Sequence, residues 1–151
     1  MGKVKNLNYV SFTKVKPGAA TPSQAHSSDS GWDLTLISST VHEAKNTEPY
    51  RKYSTGISVA PPQGYYFEMF ARSSLTKTGH FLLNSVGIID SDYRGEIFVP
   101  IFDLSGLNDE LPLPGKYVQL VLKKLEPVEW MQSFEVEETI RGDKGFGSSG
   151  T

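Results

Sequence analysis

Short runs of apolar, aromatic and β-branched residues alternate with clusters of turn-forming residues along most of the chain. Such runs are typical of strands, and we predict strands over residues 7–15, 32–37, 56–60, 65–71, 81–83, 97–104 and 117–125. Residues 128–140 mix apolar residues with glutamates, which favours a turn followed by a last strand. No window of a dozen residues has a helical period. The pattern therefore predicts an all-β sandwich or barrel with at most one short helix.

Two segments between these strands lack an alternating pattern. Residues 42–53 are polar and carry charges of both signs, and we interpret them as a loop or surface ribbon. Residues 72–79 can form one helical turn, which Gly79 would end. The chain has 151 residues and a mass of 16.7 kDa, which is the size of a single domain.

Residues 84–95, NSVGIIDSDYRG, contain several turn formers and lie between two apolar runs. This arrangement predicts a β-hairpin. The tip of such a hairpin could direct backbone amides and a carboxylate into a cleft, where they would act on a ligand. The alternative is an ordinary surface hairpin, whose two aspartates are solvated and stabilise the turn.

The glycine-rich segment 141–151, RGDKGFGSSGT, cannot pack a core, so we predict one domain over 1–140 followed by an arm. Its glycines would allow successive amides to curl around an anion, and Arg141, Ser148 and Ser149 add donors. The spacing from Gly142 to Gly147 is similar to that of a Walker loop. Ser148 stands where that loop needs lysine, so a Walker site is excluded. The alternative for this segment is a disordered tail.

Composition excludes several classes of function. The net charge is −2, so there is no excess of positive charge to bind nucleic acid or an acidic membrane surface. The absence of cysteine excludes disulfides and thiol chemistry. No apolar run approaches the ~20 residues needed to cross a bilayer, and no signal peptide is visible. We therefore expect an intracellular protein, cytoplasmic or nuclear, that interacts with neither nucleic acid nor membranes.

Three further positions carry weaker signals. Arg72 precedes two hydroxyl side chains, those of Ser73 and Ser74, and the three together could cradle a phosphate. An ordinary polar strand end is the alternative. Gln119 lies in an otherwise apolar strand, where a polar side chain needs a partner. Asp33 lies at a strand entry and could either orient a cation or cap a turn.

The order of these segments is more informative than any one of them. The series DSGWDL at 29–34, ARSSLTKTG at 71–79, the hairpin at 84–95, GKYVQLV at 115–121 and RGDKGFGSSG at 141–150 resembles the five motifs of the trimeric dUTP diphosphatase (dUTPase) family. The resemblance implies a jelly-roll β-fold and a homotrimer whose three active sites are each assembled from several subunits. It also implies hydrolysis of dUTP to dUMP and pyrophosphate with Mg²⁺, which would keep uracil out of DNA and supply dUMP for thymidylate synthesis.

The resemblance assigns a role to each matching residue. Asp90 falls on the catalytic base, which activates a water for attack on the α-phosphorus, and Tyr93 falls on the aromatic residue that packs against the deoxyribose. Asp33 falls on a supporting aspartate. Contacts to the base are implied for Asn84, Gly87, Ile89 and, as the aromatic cover, Phe146. Contacts to the phosphates are implied for Arg72, Ser73, Ser74, Gln119, Arg141, Gly147, Ser148 and Ser149. The Mg²⁺ is expected on the triphosphate and its waters rather than on the protein.

The chain departs from the family pattern at a few positions. Trp32 stands where tyrosine is usual, Ala71 where proline is common and Ser74 where glycine is usual, while Asp143 and Lys144 replace a smaller pair. These changes leave every reacting group in place. They affect the expected affinity and the closure of the arm, not the expected reaction.

Two alternatives remain open. The related deoxycytidine triphosphate deaminases share the fold and an Arg-Ser-Ser motif, but they need a glutamate where this chain has Pro100, which cannot transfer a proton. A dUTPase-like trimer could also serve as a nucleotide-dependent regulatory binding protein. Residues 42–53 would then be the expected contact surface.

Overall fold

The computed structural model describes residues 8–45 and 47–147. Over this part of the chain the fold consists of ten strands and one short helix, which confirms the all-β class. The elements are β1 Ser11–Lys14, β2 Trp32–Leu36, β3 Ser38–His42, β4 Tyr50–Ser54, β5 Ile57–Ala60, β6 Tyr65–Ala71, α1 Ser73–Thr76, β7 His80–Leu82, β8 Gly87–Ile89, β9 Phe98–Asp103 and β10 Gly115–Lys124. None of the described helices is long and apolar enough to cross a membrane.

Two four-stranded antiparallel sheets form the jelly-roll sandwich. One has the strand order β2-β10-β6-β8 and the other has the order β3-β4-β9-β7, while β1 pairs with β5 alone. Side chains from both sheets meet in one apolar core, in which Leu34, Met69, Val99, Ile101 and Leu120 are almost completely buried. The strands alternate buried and accessible residues because only one face of each sheet packs against the core.

The interpretation of residues 42–53 as a loop or surface ribbon is wrong for residue 42 and residues 50–53, which belong to β3 and β4. β3 and β4 pair antiparallel, with Val41 opposite Arg51, and only the segment between them is irregular. β4 lies between β3 and β9, so its backbone is paired on both sides even though most of its side chains are polar. Tyr53 alone points fully into the core. Tertiary pairing therefore overrides the weak local pattern.

The last strand predicted within residues 128–140 is absent, because no described strand pairs with this segment. Its large apolar residues are almost completely exposed, as the values of 98% for Trp130 and 92% for Phe134 show. The predicted strand over 7–15 is shortened to Ser11–Lys14, and the helical turn expected within 72–79 is found in α1.

The two apolar runs that flank residues 84–95 do pair, since Phe81 of β7 lies opposite Phe102 of β9. The segment between them is more than a hairpin loop. Residues Gly87–Ile89 leave this sheet and form β8, which pairs with β6 in the other sheet. The central segment therefore crosses from one layer of the sandwich to the other and back.

Tyr53 offers a test of the core. Its phenol oxygen accepts a hydrogen bond of 2.9 Å from the backbone N–H of Leu111, and both residues are buried. Tyr53→Phe would leave that N–H without a partner, which costs about 1–3 kcal/mol of unfolding free energy in a urea titration. The matched control is Tyr50→Phe on the same strand, where the ring is only half-buried and a change below about 0.5 kcal/mol is expected. Equal effects of the two substitutions would contradict this account of the core.

Candidate active site

The segment that crosses between the sheets lines an open cavity of about 220 Å³. Five residues singled out in the sequence border this cavity, namely Asn84, Gly87, Ile89, Asp90 and Tyr93. Met69 and Phe98, from the two different sheets, complete much of the wall. The cavity therefore combines strand backbone, an amide, a carboxylate and an aromatic ring.

Gly87 allows a close approach at the floor of this cavity. A Cβ atom at this position would lie 2.9 Å from the terminal methyl carbon of Met69 and 3.2 Å from the amide nitrogen of Asn84. Any larger residue would push both side chains away. A tight turn precedes the glycine, in which the N–H of Val86 donates to the carbonyl of Asn84 at 2.6 Å and Ser85 adopts a positive φ of 61°. The Asn84 amide is therefore held beside the first residue of β8.

A second turn follows β8 and carries the acidic residue. The N–H of Tyr93 donates to the carbonyl of Asp90 at 3.1 Å, and the Asp90 side chain is exposed where it borders the cavity. The Tyr93 hydroxyl donates to the backbone carbonyl of Glu96 at 2.8 Å. Its ring lies over Gly95, where an added Cβ would come within 2.6 Å of the ring carbon Cζ. A larger residue at this position would therefore displace the Tyr93 ring.

Glu96 is a cavity residue that the sequence analysis did not identify. Its side chain is only 7% exposed and forms an ion pair of 2.8 Å with Lys16, which lies beyond the end of β1. The carboxylate also accepts hydrogen bonds from the Ser54 hydroxyl and, at 2.6 Å, from the N–H of Gly56. Burial acts to raise the pKa of Glu96, but these donors outweigh it and hold the pKa below the ordinary value of 4.5. A single glutamate in a turn-rich segment gives no signal of such a distant partner.

The rest of residues 94–97 is fixed to the same strand pair. The Ser58 hydroxyl donates to the carbonyl of Arg94 at 2.7 Å, and the Thr55 hydroxyl donates to that of Ile97 at 2.7 Å. The N–H of Ile97 donates to the carbonyl of Ile57 at 2.8 Å. The chain that leaves the cavity is therefore held by β5 and the residues just before it.

The other cluster predicted from the sequence surrounds Arg72. Its Nε atom forms an ion pair with Asp33 at 2.9 Å, and its Nη1 atom donates to the carbonyl of Lys116 at 2.9 Å. The Ser74 hydroxyl donates to that same carbonyl at 2.8 Å. Gln119 lies opposite Asp33 on the neighbouring strand and donates to the carbonyl of Ala71 at 3.4 Å. Ser73 begins α1 beside this group.

Asp90 and Arg72 lie at opposite ends of one strand pair. β6 and β8 run antiparallel, with Met69 opposite Gly87 and Phe67 opposite Ile89. Asp90 therefore continues towards the start of β6, whereas Arg72 follows its end. Along the direction of β6, Asp90 and Arg72 are six residue positions apart, which corresponds to about 20 Å at the usual rise of a strand.

The arm residues lie apart from both clusters. Arg141 donates to the carbonyl of Lys144 at 2.9 Å, and the Phe146 side chain is fully exposed with a positive φ of 48°. Gly147 has a φ of 81°. Ser148 and Ser149 lie outside the described residues. Within the described part of the chain, no group of three or more acidic or histidine side chains is placed to bind a metal ion.

Comparison with known proteins identifies the family. The family model for dUTPase matches residues 18–150. The chain belongs to the dUTPase family. The resemblance stated from the five motifs is thereby confirmed, and the jelly-roll sandwich described above is the dUTPase fold in this chain.

Individual relatives agree with this assignment. A deoxyuridine 5′-triphosphate nucleotidohydrolase from Hydrogenobaculum sp. is 37% identical over 140 residues, covering 91% of this chain and 94% of the relative. One from Corynebacterium glutamicum is 36% identical over 147 residues, covering 96% and 97%. Among solved structures, the dUTPase of Staphylococcus bacteriophage 80alpha with dUpNHpp has a TM-score of 0.76 at 23% identity, covering 96% of this chain and all of that chain. This last similarity supports the shared fold.

The lowered pKa of Glu96 predicts an acid-dependent stability. Because the folded pKa lies below the unfolded value, the stabilisation is present above about pH 4.5 and is lost as the pH falls through the folded value. Glu96→Gln should therefore lower the unfolding free energy by about 1–3 kcal/mol at neutral pH and make its pH dependence shallower. Urea titrations from neutral to acidic pH measure both effects.

The control for this titration is Glu110→Gln. Glu110 pairs with Arg51 at 3.6 Å but is 46% exposed, so solvent screens the pair and little change is expected. Asp103, whose pKa is also lowered, by the N–H groups of Asp109 and Ser105, contributes the same acid dependence to every variant. A Glu96→Gln protein with the pH profile of the unaltered protein would refute the role given to this carboxylate.

Proposed function

We propose that this chain is a dUTP diphosphatase that hydrolyses dUTP to dUMP and pyrophosphate. The observation that carries the proposal is the cavity beside β8, in which the Asn84 amide, the Tyr93 ring and the Asp90 carboxylate lie together. The relatives named as nucleotidohydrolases support the choice of substrate. The reaction would keep uracil out of DNA and supply dUMP for thymidylate synthesis, inside the cell where these nucleotides occur.

Recognition of the base uses the outer edge of β8. This strand is the last of its sheet in the described part of the chain, so one side of its backbone is available for hydrogen bonds from a base. Uracil carries an acceptor where cytosine carries an amino donor, so a donor at that place would reject cytosine. The cost of leaving such a buried group unpaired is large. The backbone from Gly87 to Ile89 and the amide of Asn84 provide the donors and acceptors.

The sugar would lie against Tyr93. The ring is fixed over Gly95 by its hydrogen bond to Glu96, so one ring face can pack against deoxyribose. An added 2′-hydroxyl would have to fit between the sugar and this ring. Tyr93 thereby favours deoxyribose over ribose.

Asp90 would act as the general base. Its carboxylate accepts a proton from a water molecule, whose oxygen attacks the α-phosphorus while the bond to the pyrophosphate oxygen breaks. Assistance of this kind contributes about 10²–10⁴-fold. Alignment and neutralisation of the phosphate charge supply the remainder, as is general in phosphoryl-type hydrolysis.

The phosphate chain would contact the Arg72 cluster of another copy. Asp33 and the carbonyl of Lys116 engage two of the five N–H donors of the guanidinium, so the others can bind phosphate oxygens. Arg72 and Asp90 lie about 20 Å apart along the strands of one chain, which makes it difficult for one copy to bring both to the same nucleotide. A homotrimer with shared sites can do so. The phosphate contacts would be completed by Ser73, Ser74, Gln119 and, in the closing arm, Arg141, Gly147, Ser148 and Ser149, with Phe146 over the base.

Mg²⁺ would accompany the triphosphate. This ion prefers six oxygen ligands and commonly takes them from substrate phosphates and water. The described residues around Arg72 offer N–H and hydroxyl donors rather than a set of carboxylates, which suits binding to phosphate oxygens and leaves the ion to the substrate. When bound, the ion would neutralise charge on the phosphates and on the departing pyrophosphate. The protein residues orient the nucleotide and the water.

The deaminase alternative has no support from the site. Pro100 lies in β9 opposite Lys52 and provides no group for proton transfer. The binding-protein alternative predicts that the purified protein binds dUTP and releases no pyrophosphate in the presence of Mg²⁺. Measuring pyrophosphate release with dUTP, dTTP, dCTP and UTP separates these possibilities.

Asp90→Asn tests the general base. The substitution keeps the size of the side chain but removes the proton acceptor, so turnover of dUTP should fall by about 10²–10⁴-fold. Affinity for a non-hydrolysable dUTP analogue, measured by calorimetry, should change little. Asp92→Asn in the same turn is the matched control and should retain near-normal turnover. Near-normal turnover by Asp90→Asn would remove this residue from the proposed role.

Mixing two inactive variants tests the shared site. Asp90→Asn and Arg72→Ala are each expected to be almost inactive alone. If each site takes Asp90 from one copy and Arg72 from another, every trimer of mixed composition contains one complete site. Refolding the two variants together in equal amounts should then restore about a quarter of the unaltered activity.

The controls are the two variants refolded separately. A mixture that is no more active than these controls would show that one chain supplies both residues, and would overturn the shared arrangement. Co-expression with two different affinity tags, followed by purification through both, confirms that mixed assemblies are present.

A further inference from the structure

We infer that Glu96 is a positioning residue that sets the discrimination between deoxyribose and ribose by holding Tyr93 in place. This inference rests on the proposed function, because it assumes that the nucleotide sugar packs against Tyr93. Glu96 itself reacts with nothing. It acts through its own backbone carbonyl, which accepts the hydrogen bond from the Tyr93 hydroxyl at 2.8 Å.

The Tyr93 ring needs such support. Its side chain is exposed, with 43% of the residue accessible, so packing alone does not fix its orientation. Beneath it lies Gly95, which has no side chain with which to hold the ring. The hydrogen bond to Glu96 is therefore the contact that selects one position for the phenol.

The acceptor is fixed because the Glu96 side chain is anchored on three sides. Lys16 binds one carboxylate oxygen at 2.8 Å, while Ser54 and the N–H of Gly56 bind the other. Lys16 also donates to the Ser54 hydroxyl at 3.1 Å and lies 5.0 Å from the centre of the Phe98 ring. These groups come from three separate parts of the chain and together fix the Glu96 side chain, which restrains the backbone that carries the accepting carbonyl.

The carboxylate of Glu96 contributes to folding and also borders the site. Lys16 is 44% exposed and the Glu96 side chain is 7% exposed, so the pair joins the surface to the core. The buried carboxylate borders the cavity that contains Asn84 and Asp90. Glu96 lies between the strand pair and the Tyr93 ring that would contact the sugar, which indicates a role in fixing the orientation of that ring.

The experiment compares kcat/KM for dUTP with kcat/KM for UTP in a set of variants. Lys16→Met removes the cation and should lower this ratio by about three- to tenfold, the size expected for one hydrogen bond. Lys16→Arg keeps the charge and should restore most of the ratio. Tyr93→Phe removes the hydroxyl and should lower the ratio by a similar factor.

The double variant Lys16→Met with Tyr93→Phe decides the route of the effect. If Lys16 and Glu96 act through the Tyr93 hydroxyl, the double variant has the ratio of Tyr93→Phe alone. A ratio that is lower by the product of the two single effects would overturn the inference. So would a Lys16→Met protein that has a lower melting temperature and an unchanged ratio.

Lys123→Met is the matched control. Lys123 is 45% exposed and pairs with Glu68 at 3.8 Å on the surface of β6 and β10, so the ratio should not change. If Lys16→Met does not fold, Ser54→Ala removes one donor to Glu96 with less disruption and should lower the ratio in the same direction. An unchanged ratio in Ser54→Ala would then overturn the inference.

The same measurements distinguish failure of the proposed function from failure of the inference. If the unaltered protein binds dUTP but does not hydrolyse it, the proposed function is wrong. The inference is then tested by comparing the ratio of the dissociation constants for dUTP and UTP among the same variants. If the unaltered protein hydrolyses dUTP and the ratio is insensitive to Lys16, the inference alone fails. Absence of any dUTP binding overturns both.

Discussion

The pairing of β8 with β6 is the constraint on which the rest of the site depends. It takes residues 87–89 out of the sheet to which the flanking strands belong and adds them to the other layer. This crossing opens a cavity at the edge of the sandwich and leaves β8 as the last described strand of its sheet, with one side of its backbone available for hydrogen bonds. It also sets Asp90 and Arg72 at opposite ends of a rigid ladder. A loop in place of β8 would allow the two residues to move towards each other, whereas a paired strand does not.

Rigidity of the cavity has a second source in residues 54–58. Their backbone and side-chain groups form hydrogen bonds to residues 94–97 at several points. The segment that lines the cavity is therefore held at its start by one sheet and at its end by residues 54–58. Catalysis of the proposed kind depends mainly on alignment, because the protein forms no covalent bond to the phosphate. A sandwich that anchors both ends of the segment that lines the cavity is suited to that demand.

Much of the fold could be predicted because inward and outward residues alternate with a period of two. β6 and β9 follow this rule clearly, and the motifs in order gave the family. β3 and β4 were missed because pairing on both sides of β4 stabilises residues whose own preferences are weak. The strand expected in 128–140 requires a partner that residues 8–45 and 47–147 of the same chain do not provide. A local pattern contains no information about either kind of partner.

The residues that line the cavity were predictable to a similar extent and for a similar reason. Asp90, Asn84 and Tyr93 lie within ten residues of one another, so a single local motif predicts that they meet. The ion pair between Arg72 and Asp33 joins two motifs, and only their order suggested a connection. Glu96 was missed because its partner Lys16 lies far away in the sequence and neither residue stands in an unusual local setting.

The exposed apolar residues of segment 128–140 have a consequence for the life of the newly made chain. An isolated copy leaves Trp130, Phe134 and Ile140 in water, which is unfavourable in proportion to their area and invites non-specific adhesion. In the proposed trimer, association would cover such surface, so folding and assembly would form one concentration-dependent equilibrium. Catalytic activity would then require a chain concentration high enough for assembly. Activity would therefore rise more than linearly with the amount of chain synthesised.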